Sequence, residues 1–93
     1  MADPLVVVAG SLFRKDVRRG AKRGLGLGNL RSTLRLLAQR LTLPSAMRDR
    51  ALVGSYRGFR ECHIAPDWLL LYRVEQNRLI LVAFRTGTHT DLF

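Results

Sequence analysis

The sequence predicts an α+β domain whose elements follow the order β-α-α-β-β-β. An apolar, β-branched segment comes first, two segments with helical spacing of apolar residues follow, and three strand-like segments complete the chain. Since consecutive strands usually pair, we expect the last three to form a meander in a small, mainly antiparallel sheet. The two N-terminal helices should pack on one face of this sheet and leave the other partly open. Ninety-three residues without internal repeats are expected to form one domain, 1–93.

The N-terminal half contains the first strand and the helical hairpin. Residues 5–9 are apolar without polar alternation, so we expect a strand that is covered on both faces. Ser11 can cap the next helix, whose apolar residues recur every four positions as Phe13, Val17 and Ala21. Glycines at 24, 26 and 28 end this helix in a loop. The second helix is predicted over 27–41, with leucines on one face at Leu27, Leu30, Leu34, Leu37 and Leu41.

Two other interpretations of this half are weaker. The glycines are spaced G-x-G-x-G and no Lys-Ser or Lys-Thr pair follows them, so they do not make a phosphate-binding loop. The leucines cover only two heptads, which is too short for a coiled coil.

The C-terminal half contains the strands. A short strand is expected to begin at Leu52, and the next runs over 59–64, with Phe59, Glu61 and His63 on one face and Cys62 toward the core. Pro66 and Asp67 suit a tight turn that leads into a buried strand over 68–74. Residues 75–78 are a hairpin connection in which Asn77 tolerates positive φ, and residues 79–84 are a central strand. Residues 85–93 should leave the sheet.

The charge points to a polyanionic partner. Sixteen Lys and Arg against seven Asp and Glu leave a net charge of +9, which favours nucleic acid or an acidic protein as the partner. No apolar segment approaches the roughly 20 residues of a membrane helix, and no signal peptide is apparent. A single cysteine fits a cytoplasmic protein.

The candidate chemistry is metal-free RNA cleavage, which needs a base for the 2′-OH, an acid for the 5′-oxygen and cations at the phosphate. The credible proton-transfer set is His63, Asp67 and His89. Arg85 and Arg50 are candidate phosphate ligands. Aromatic residues that could stack on a base are Trp68, Tyr56 and Phe93.

Each of these residues also has a structural interpretation. Trp68 is more often a core residue, and Asp67 taken alone is more often a turn former. Arg85 could pair with Glu61 or Asp91. His63 and His89 could be ordinary exposed residues, and Phe93 a terminal apolar contact. The convergence of both histidines and an arginine at one sheet edge favours the functional interpretation.

Other chemistries find less support. Cys62 is expected to point into the core, where a thiol is a poor nucleophile. Two histidines and one cysteine at these spacings do not form a zinc signature, so no metal or cofactor is predicted. No serine-hydrolase motif is present.

Four groups of residues resemble the YafQ-type toxins of the RelE superfamily. They are Leu52-x-Gly54, Arg60-Glu61-Cys62-His63-Ile64, Pro66-Asp67-Trp68-Leu69-Leu70-x-Tyr72 and Arg85-Thr86-Gly87-Thr88-His89-x-Asp91-Leu92-Phe93. Phe13-x-Lys15-Asp16-Val17 and the Arg-Gly pair at 23–24 are similar as well. The match covers nearly the whole chain in order.

The resemblance implies a RelE-like microbial RNase fold and the toxin half of a type II toxin–antitoxin pair. Such toxins cleave mRNA in the A site of the 70S ribosome without a metal, bind a small acidic antitoxin, and leave operator DNA to that antitoxin. The functional positions that carry over are His63, Asp67, Trp68, Arg85, His89 and Phe93. Roles implied for them place His63 and Asp67 near the 2′-OH and leaving group, His89 as partner acid or base, and Arg85 on the phosphate.

One position departs from the family pattern. The family usually has Arg-Asp-His before Leu-x-Gly, whereas this chain has Arg48-Asp49-Arg50. A guanidinium cannot exchange protons near neutral pH but still binds phosphate. The alternative functions are therefore a catalytically weakened toxin that binds ribosome or antitoxin, and, on basic charge alone, a DNA-binding repressor.

Overall fold

The computed structural model describes residues 3–93, which form one sheet and three α-helices. In chain order these are β1 (Val6–Ala9), α1 (Ser11–Lys22), α2 (Leu27–Ala38), β2 (Arg50–Ala51), β3 (Arg60–Ala65), β4 (Trp68–Glu75), β5 (Ile80–Gly87) and α3 (His89–Leu92). The predicted α+β class and the N-terminal helix pair are confirmed. The one-turn α3 is an additional element, and the two-residue β2 corresponds to the short strand that was expected near Leu52.

The five strands of this region are arranged in the order β1-β5-β4-β3-β2. β1 is parallel to β5, and every other neighbouring pair is antiparallel. The predicted meander of the last three strands is therefore confirmed, and β5 is an internal strand as expected. The tight turn at Pro66–Asp67 joins β3 to β4, also as expected.

The two long helices cover one face of the sheet and enclose most of the core. Phe13 of α1 and Leu30 and Leu37 of α2 are buried against Leu70 and Leu81 of the sheet. This packing is the main apolar contribution to stability, because each fully buried side chain of this size contributes roughly 1.5–3 kcal/mol.

The helical stripes differ from the prediction at their C-terminal ends. In α1 the buried positions are Phe13, Asp16 and Gly20, while Ala21 is exposed. A strict four-residue spacing advances 40° per step beyond a 3.6-residue turn, so it leaves the buried face.

The second helix ends before Leu41, which is 51% exposed. Arg40 takes a left-handed conformation at φ 60°, and the Leu41 N–H donates to the Leu36 carbonyl at 3.0 Å. This is a Schellman cap formed without the usual glycine, so the sequence held no stop signal there.

The expectation that the first strand is covered on both faces is wrong. β1 lies at the edge of the sheet, and Val6, Val7 and Val8 are 64%, 40% and 43% exposed. An apolar, β-branched segment suits an edge strand as well as a buried one, because both have the same extended backbone.

Two boundaries in the C-terminal half were also predicted wrongly, and the residue with positive φ in one connection is not the one considered for it. β5 continues to Gly87, so residues 85–87 do not leave the sheet. β2 comes two residues before Leu52. In the connection between β4 and β5, Leu79 and not Asn77 has positive φ, at 53°.

The face opposite the helices is only partly covered. A small cluster forms there from Leu69 and Leu71 of β4 and Leu92 of α3, with Tyr56 and Phe84 packed against it. The rest of this face is open, as predicted, and it carries the candidate site.

Candidate active site

Strand β3 presents two polar side chains on the open face. Glu61 and His63 stand opposite Leu71 and Leu69 of β4, the two strand residues of the small cluster. Cys62 points to the other side and is fully buried in the helical core, which raises the pKa of its thiol to about 12. The predicted faces of β3 and the inert cysteine are thus confirmed.

The helix α3 brings a histidine to the same face, although its segment was expected to be a polar tail. Thr88 caps it: the Asp91 N–H donates to Thr88 Oγ1 at 3.2 Å, and the Thr88 N–H donates to Asp91 Oδ2 at 3.0 Å. This capping box corresponds to the sequence Thr-x-x-Asp, a signal that could have identified the helix.

His89, the first residue of α3, contacts the β3–β4 turn. Its Nδ1 lies 3.0 Å from Asp67 Oδ1, and its backbone N–H donates to the same oxygen at 3.3 Å. These hydrogen bonds lower the pKa of Asp67, so this carboxyl group is ionised at neutral pH. Since the ionised carboxylate accepts from Nδ1–H, the free nitrogen of the His89 ring is Nε2.

The two histidines are neighbours. Their ring centroids are 5.9 Å apart. His63 lies on a strand, His89 on a helix and Asp67 in a turn, so three elements bring the candidate proton-transfer residues together. The predicted convergence of these three residues is present in the structure.

Glu61 is a buried carboxylate beside this set and was not predicted as a site residue. It is 1% exposed, and its Oε1 lies 3.8 Å from His63 Nε2. Arg50 Nε donates to the same oxygen at 3.1 Å, while the Arg50 side chain remains 67% exposed. The strand alternation places Glu61 on the His63 face and was the available signal.

Arg85 lies on the same face but on β5, where it stands opposite Leu71 of β4. Its partner is neither Glu61 nor Asp91: Nε and Nη2 donate to the two oxygens of Asp16 at 2.7 and 3.1 Å. This ion pair uses one N–H of Nε and one of Nη2, so N–H groups on Nη1 and Nη2 remain for a phosphate, although the Arg85 side chain is only 21% exposed.

Trp68 belongs to the core. It is 3% exposed, and its Nε1–H donates to Thr86 Oγ1 at 2.8 Å. Thr86 Oγ1 in turn donates to the Leu69 carbonyl at 2.7 Å. The structural interpretation is therefore right for Trp68, and its ring offers no face on which a base could stack.

The exposed aromatic surface is at the C-terminus. Phe93 is 58% exposed and lies edge-on to Tyr56, with ring centroids 5.2 Å apart. Its ring centroid is 6.2 Å from that of His89. Tyr56 is half-buried and its hydroxyl donates to the Leu92 carbonyl at 2.9 Å, so it anchors the C-terminal segment.

Helix α1 holds this C-terminal segment in place through ion pairs. Arg23 donates to Asp91 at 2.8 and 3.4 Å, and Arg19 bridges Asp91 at 3.9 Å and Asp16 at 3.0 Å. Asp16 and Asp91 thus connect α1 to β5 and α3, and neither was predicted as important. A carboxylate inside the apolar stripe of α1 was the signal for Asp16.

A hollow of about 460 Å³ adjoins the proton-transfer set. Its walls include His63, Ile64, Pro66, Met47 and Arg48. This volume lies within the range of roughly 300–1,000 Å³ that is typical of ligand-binding clefts.

Comparison with known proteins gives a consistent result. Residues 6–93 match the model of a family described as the bacterial toxin of type II toxin-antitoxin system, YafQ. The mRNA interferase toxin YafQ of Escherichia coli strain K12 is 38% identical over 82 residues, which cover 87% of each chain.

Solved structures of the same kind superpose over almost the whole chain. A chain of the E. coli DinJ-YafQ toxin-antitoxin complex matches with a TM-score of 0.87 and 34% identity, covering 97% of this chain and 98% of that one. A metal-bound toxin from Helicobacter pylori matches with a TM-score of 0.90 and 34% identity, covering 96% and 99%.

Proposed function

Since the chain belongs to the YafQ family of bacterial toxins from type II toxin–antitoxin systems, we propose that it is an endoribonuclease that cleaves mRNA in the ribosomal A site. The observation that carries this proposal is the meeting of His63 and His89, the two histidines of the chain, beside the ionised Asp67. Imidazole is the side chain best suited to take and give protons near neutral pH.

The reaction we propose is attack of the 2′-oxygen on the adjacent phosphorus. One imidazole removes the 2′-OH proton, the P–O5′ bond breaks, and the other imidazole protonates the departing 5′-oxygen. The products are a 2′,3′-cyclic phosphate and a free 5′-hydroxyl. Asp67 orients His89 through Nδ1, so that Nε2 is directed toward the RNA. Glu61 Oε1 lies 3.8 Å from His63 Nε2, beyond hydrogen-bond distance, so Glu61 acts on that ring only through its charge.

Charge on the phosphate is stabilised mainly by Arg50. Its guanidinium is two-thirds exposed and is tied to the site only through the 3.1 Å contact with Glu61. Guanidinium groups bind phosphate oxygens in pairs, and Arg50 has both Nη atoms for this. Arg85 contributes a second charge, which its ion pair with Asp16 partly neutralises.

Two surfaces beside the histidines bind the nucleotides that flank the cleaved bond. The exposed ring of Phe93, beside His89, offers a stacking surface worth about 1–3 kcal/mol. The hollow beside His63, with Arg48 in its wall, accommodates a flanking nucleotide. Tyr56 acts indirectly by fixing Phe93.

The partners follow from the family and from charge. We propose that an acidic antitoxin neutralises the toxin, as DinJ pairs with YafQ in the E. coli complex. The net charge of +9 suits both this antitoxin and the ribosome. We assign operator DNA to the antitoxin. The α1–α2 hairpin resembles a DNA-binding helix pair only in its charge, because Leu30 and Leu37 of α2 pack into the core. We place the protein in the cytoplasm, where its ribosomal substrate lies. Within residues 3–93, no helix is long and apolar enough to cross a membrane.

The test is inducible expression in bacteria with mapping of cleavage sites. Wild type should arrest growth, and primer extension should find cuts in phase with codons of a translated mRNA but none in the same transcript lacking its start codon. His89→Ala should abolish both effects, while Thr90→Ala, a neighbouring exposed position, should retain them. Ribosome binding without any cleavage would instead identify a non-catalytic binding module, the function suggested by an arginine at position 50.

A further inference from the structure

We propose that Glu61, His63 and His89 form a binding site for one transition-metal ion of the Zn²⁺ type, and that the bound ion switches RNA cleavage off. Each residue offers one ligand atom, and the three atoms lie within 4.8 Å of one another. Two imidazoles and one carboxylate are an established zinc ligand set, which leaves a fourth position for water. The switch rests on the proposed function, whereas metal binding does not.

The spacing of these residues in the sequence did not indicate a metal site, because the ligands come from different elements. Glu61 and His63 alternate along β3, and His89 follows β5 in α3. Glu61 Oε1 and His63 Nε2 are already 3.8 Å apart. Zinc–ligand bonds of about 2.0–2.2 Å require ligand atoms about 3.3–3.5 Å apart, so a contraction of up to about 1.5 Å completes the site. His89, half-exposed on a one-turn helix, is the ligand free to make it.

A carboxylate that is not itself a ligand contacts one of the ligating histidines. A metal-bound histidine usually donates its other ring N–H to a carboxylate, which orients the ring. Asp67 already holds Nδ1 of His89 at 3.0 Å, so Nε2 is the nitrogen presented to the ion.

Arg50 opposes the metal and sets its affinity. Its guanidinium competes for Glu61 Oε1 at 3.1 Å and repels a cation. The site should therefore bind reversibly, as a regulatory site requires. Arg50→His removes the competing charge and adds a third imidazole, so this substitution should tighten binding.

A bound ion and catalysis exclude each other. The metal would occupy the same ring nitrogens that take and give protons, and an imidazole cannot exchange a proton at a nitrogen that ligates a metal. Cleavage should fall in proportion to metal occupancy.

The binding experiment uses the untagged full chain titrated with Co²⁺, followed by absorbance, and with Zn²⁺ in competition. We expect one ion per chain. His63→Ala and His89→Ala should each weaken binding by about 10–100-fold, Asp67→Asn by about tenfold, and Arg50→His should strengthen it. Thr90→Ala serves as the unaffected control. Equal affinity in wild type and both histidine variants would overturn the site, as would a thiolate spectrum that reports Cys62.

The inhibition experiment adds Zn²⁺ to ribosomes translating a cleavable mRNA with the wild-type chain. Cleavage should stop at the concentration that fills the site and return when a chelator is added. Full occupancy with undiminished cleavage would overturn the switch. A chain that binds the ion but never cleaves, with or without chelator, would overturn the proposed function and the switch together and leave the metal site standing.

Discussion

Asp16 and Arg85 lie 69 positions apart in the chain, yet the Arg85 guanidinium donates to both oxygens of the Asp16 carboxylate, at 2.7 and 3.1 Å. The same carboxylate accepts from the Thr86 N–H at 3.1 Å and from Arg19 at 3.0 Å. β1 pairs with β5 only as far as Ala83. Beyond that residue, the Asp16 side chain of α1 takes the place of a neighbouring strand at this edge of β5. This contact allows β5 to continue to the residues that precede α3.

Replacing Asp16 with asparagine should destabilise the fold. The carboxylate is 4% exposed, and its loss leaves Arg85 and the Thr86 N–H poorly paired. Breaking a buried ion pair costs about 3–5 kcal/mol, and the partial exposure of Arg85 reduces this to about 2–3 kcal/mol. Urea unfolding of Asp16→Asn against wild type measures the difference.

The control for that measurement is Glu75→Gln. Glu75 pairs with Arg73 and Arg78 at the surface, and such pairs contribute about 0–1 kcal/mol. An equal loss in both variants would show that Asp16 has no special role in holding β5.

The architecture was predictable where local pattern and tertiary packing agree. The turn at Pro66–Asp67 and the alternation of Glu61, Cys62 and His63 are local properties of the chain, and both are present. The site depended on the same alternation and on the convergence of both histidines, which follows once the hairpin and C-terminus meet.

What could not be predicted depends on contacts between distant segments. Arg85 and Thr86 remain in a strand only because Asp16 satisfies them. The end of α2 is a left-handed Arg40, a conformation with no sequence signal. Trp68 is buried because its indole finds Thr86 across the sheet. In each case the deciding partner lies many residues away.

Asp91 should make stability depend on pH in the acid range. The ion pair with Arg23, followed by the Thr88 N–H, lowers its pKa well below the ordinary carboxyl value of about 3.9. A lowered folded-state pKa stabilises the protein above the unfolded value, and this contribution is lost as pH falls below about 4 through the folded-state pKa. Thermal melting of wild type between pH 6 and about 2 should show this loss.

The matched variant is Asp91→Asn, which should be less stable at pH 6 and should approach wild type at the acid end. Because Arg23 is an exposed partner, the difference should be modest. A constant difference at every pH would mean that Asp91 acts through its shape and not through its charge.

Cys62 should resist alkylation in the folded protein. Burial raises its thiol pKa to about 12, and the negative charges of Asp49 and Glu61 act in the same direction. Because the thiolate is the reactive form, its reaction with iodoacetamide should be slowed on the order of a thousandfold relative to a free cysteine of pKa about 8.5–9. The chain has one cysteine, so mass spectrometry reports this site alone. Rapid labelling without denaturant would contradict the buried position.

Arg50→Ala should reduce cleavage more than Arg85→Ala does. Arg50 is exposed and keeps both Nη atoms for the phosphate, whereas two nitrogens of Arg85 are bound to Asp16. Loss of a charged hydrogen-bond pair costs about 1.5–3 kcal/mol, or about 10–150-fold in rate. Single-turnover cleavage on ribosomes, corrected for the folded fraction of each variant, makes the comparison. A larger loss for Arg85→Ala would assign the phosphate to that residue.

The cap of α3 should matter for activity because it positions His89. Thr88→Ala removes the oxygen that accepts the Asp91 N–H, and loss of such a cap costs about 1 kcal/mol. Arg23 and Tyr56 still hold Asp91 and Leu92, so the loss acts on the N-terminal end of α3, where His89 lies, and we expect a three- to tenfold fall in cleavage rate. Thr88→Ser, which keeps the hydroxyl, should restore the rate, while Thr90→Ala on the exposed side should leave it unchanged. If Thr88→Ala cleaves at the wild-type rate, the contact between Asp67 and His89 is sufficient by itself to place the imidazole.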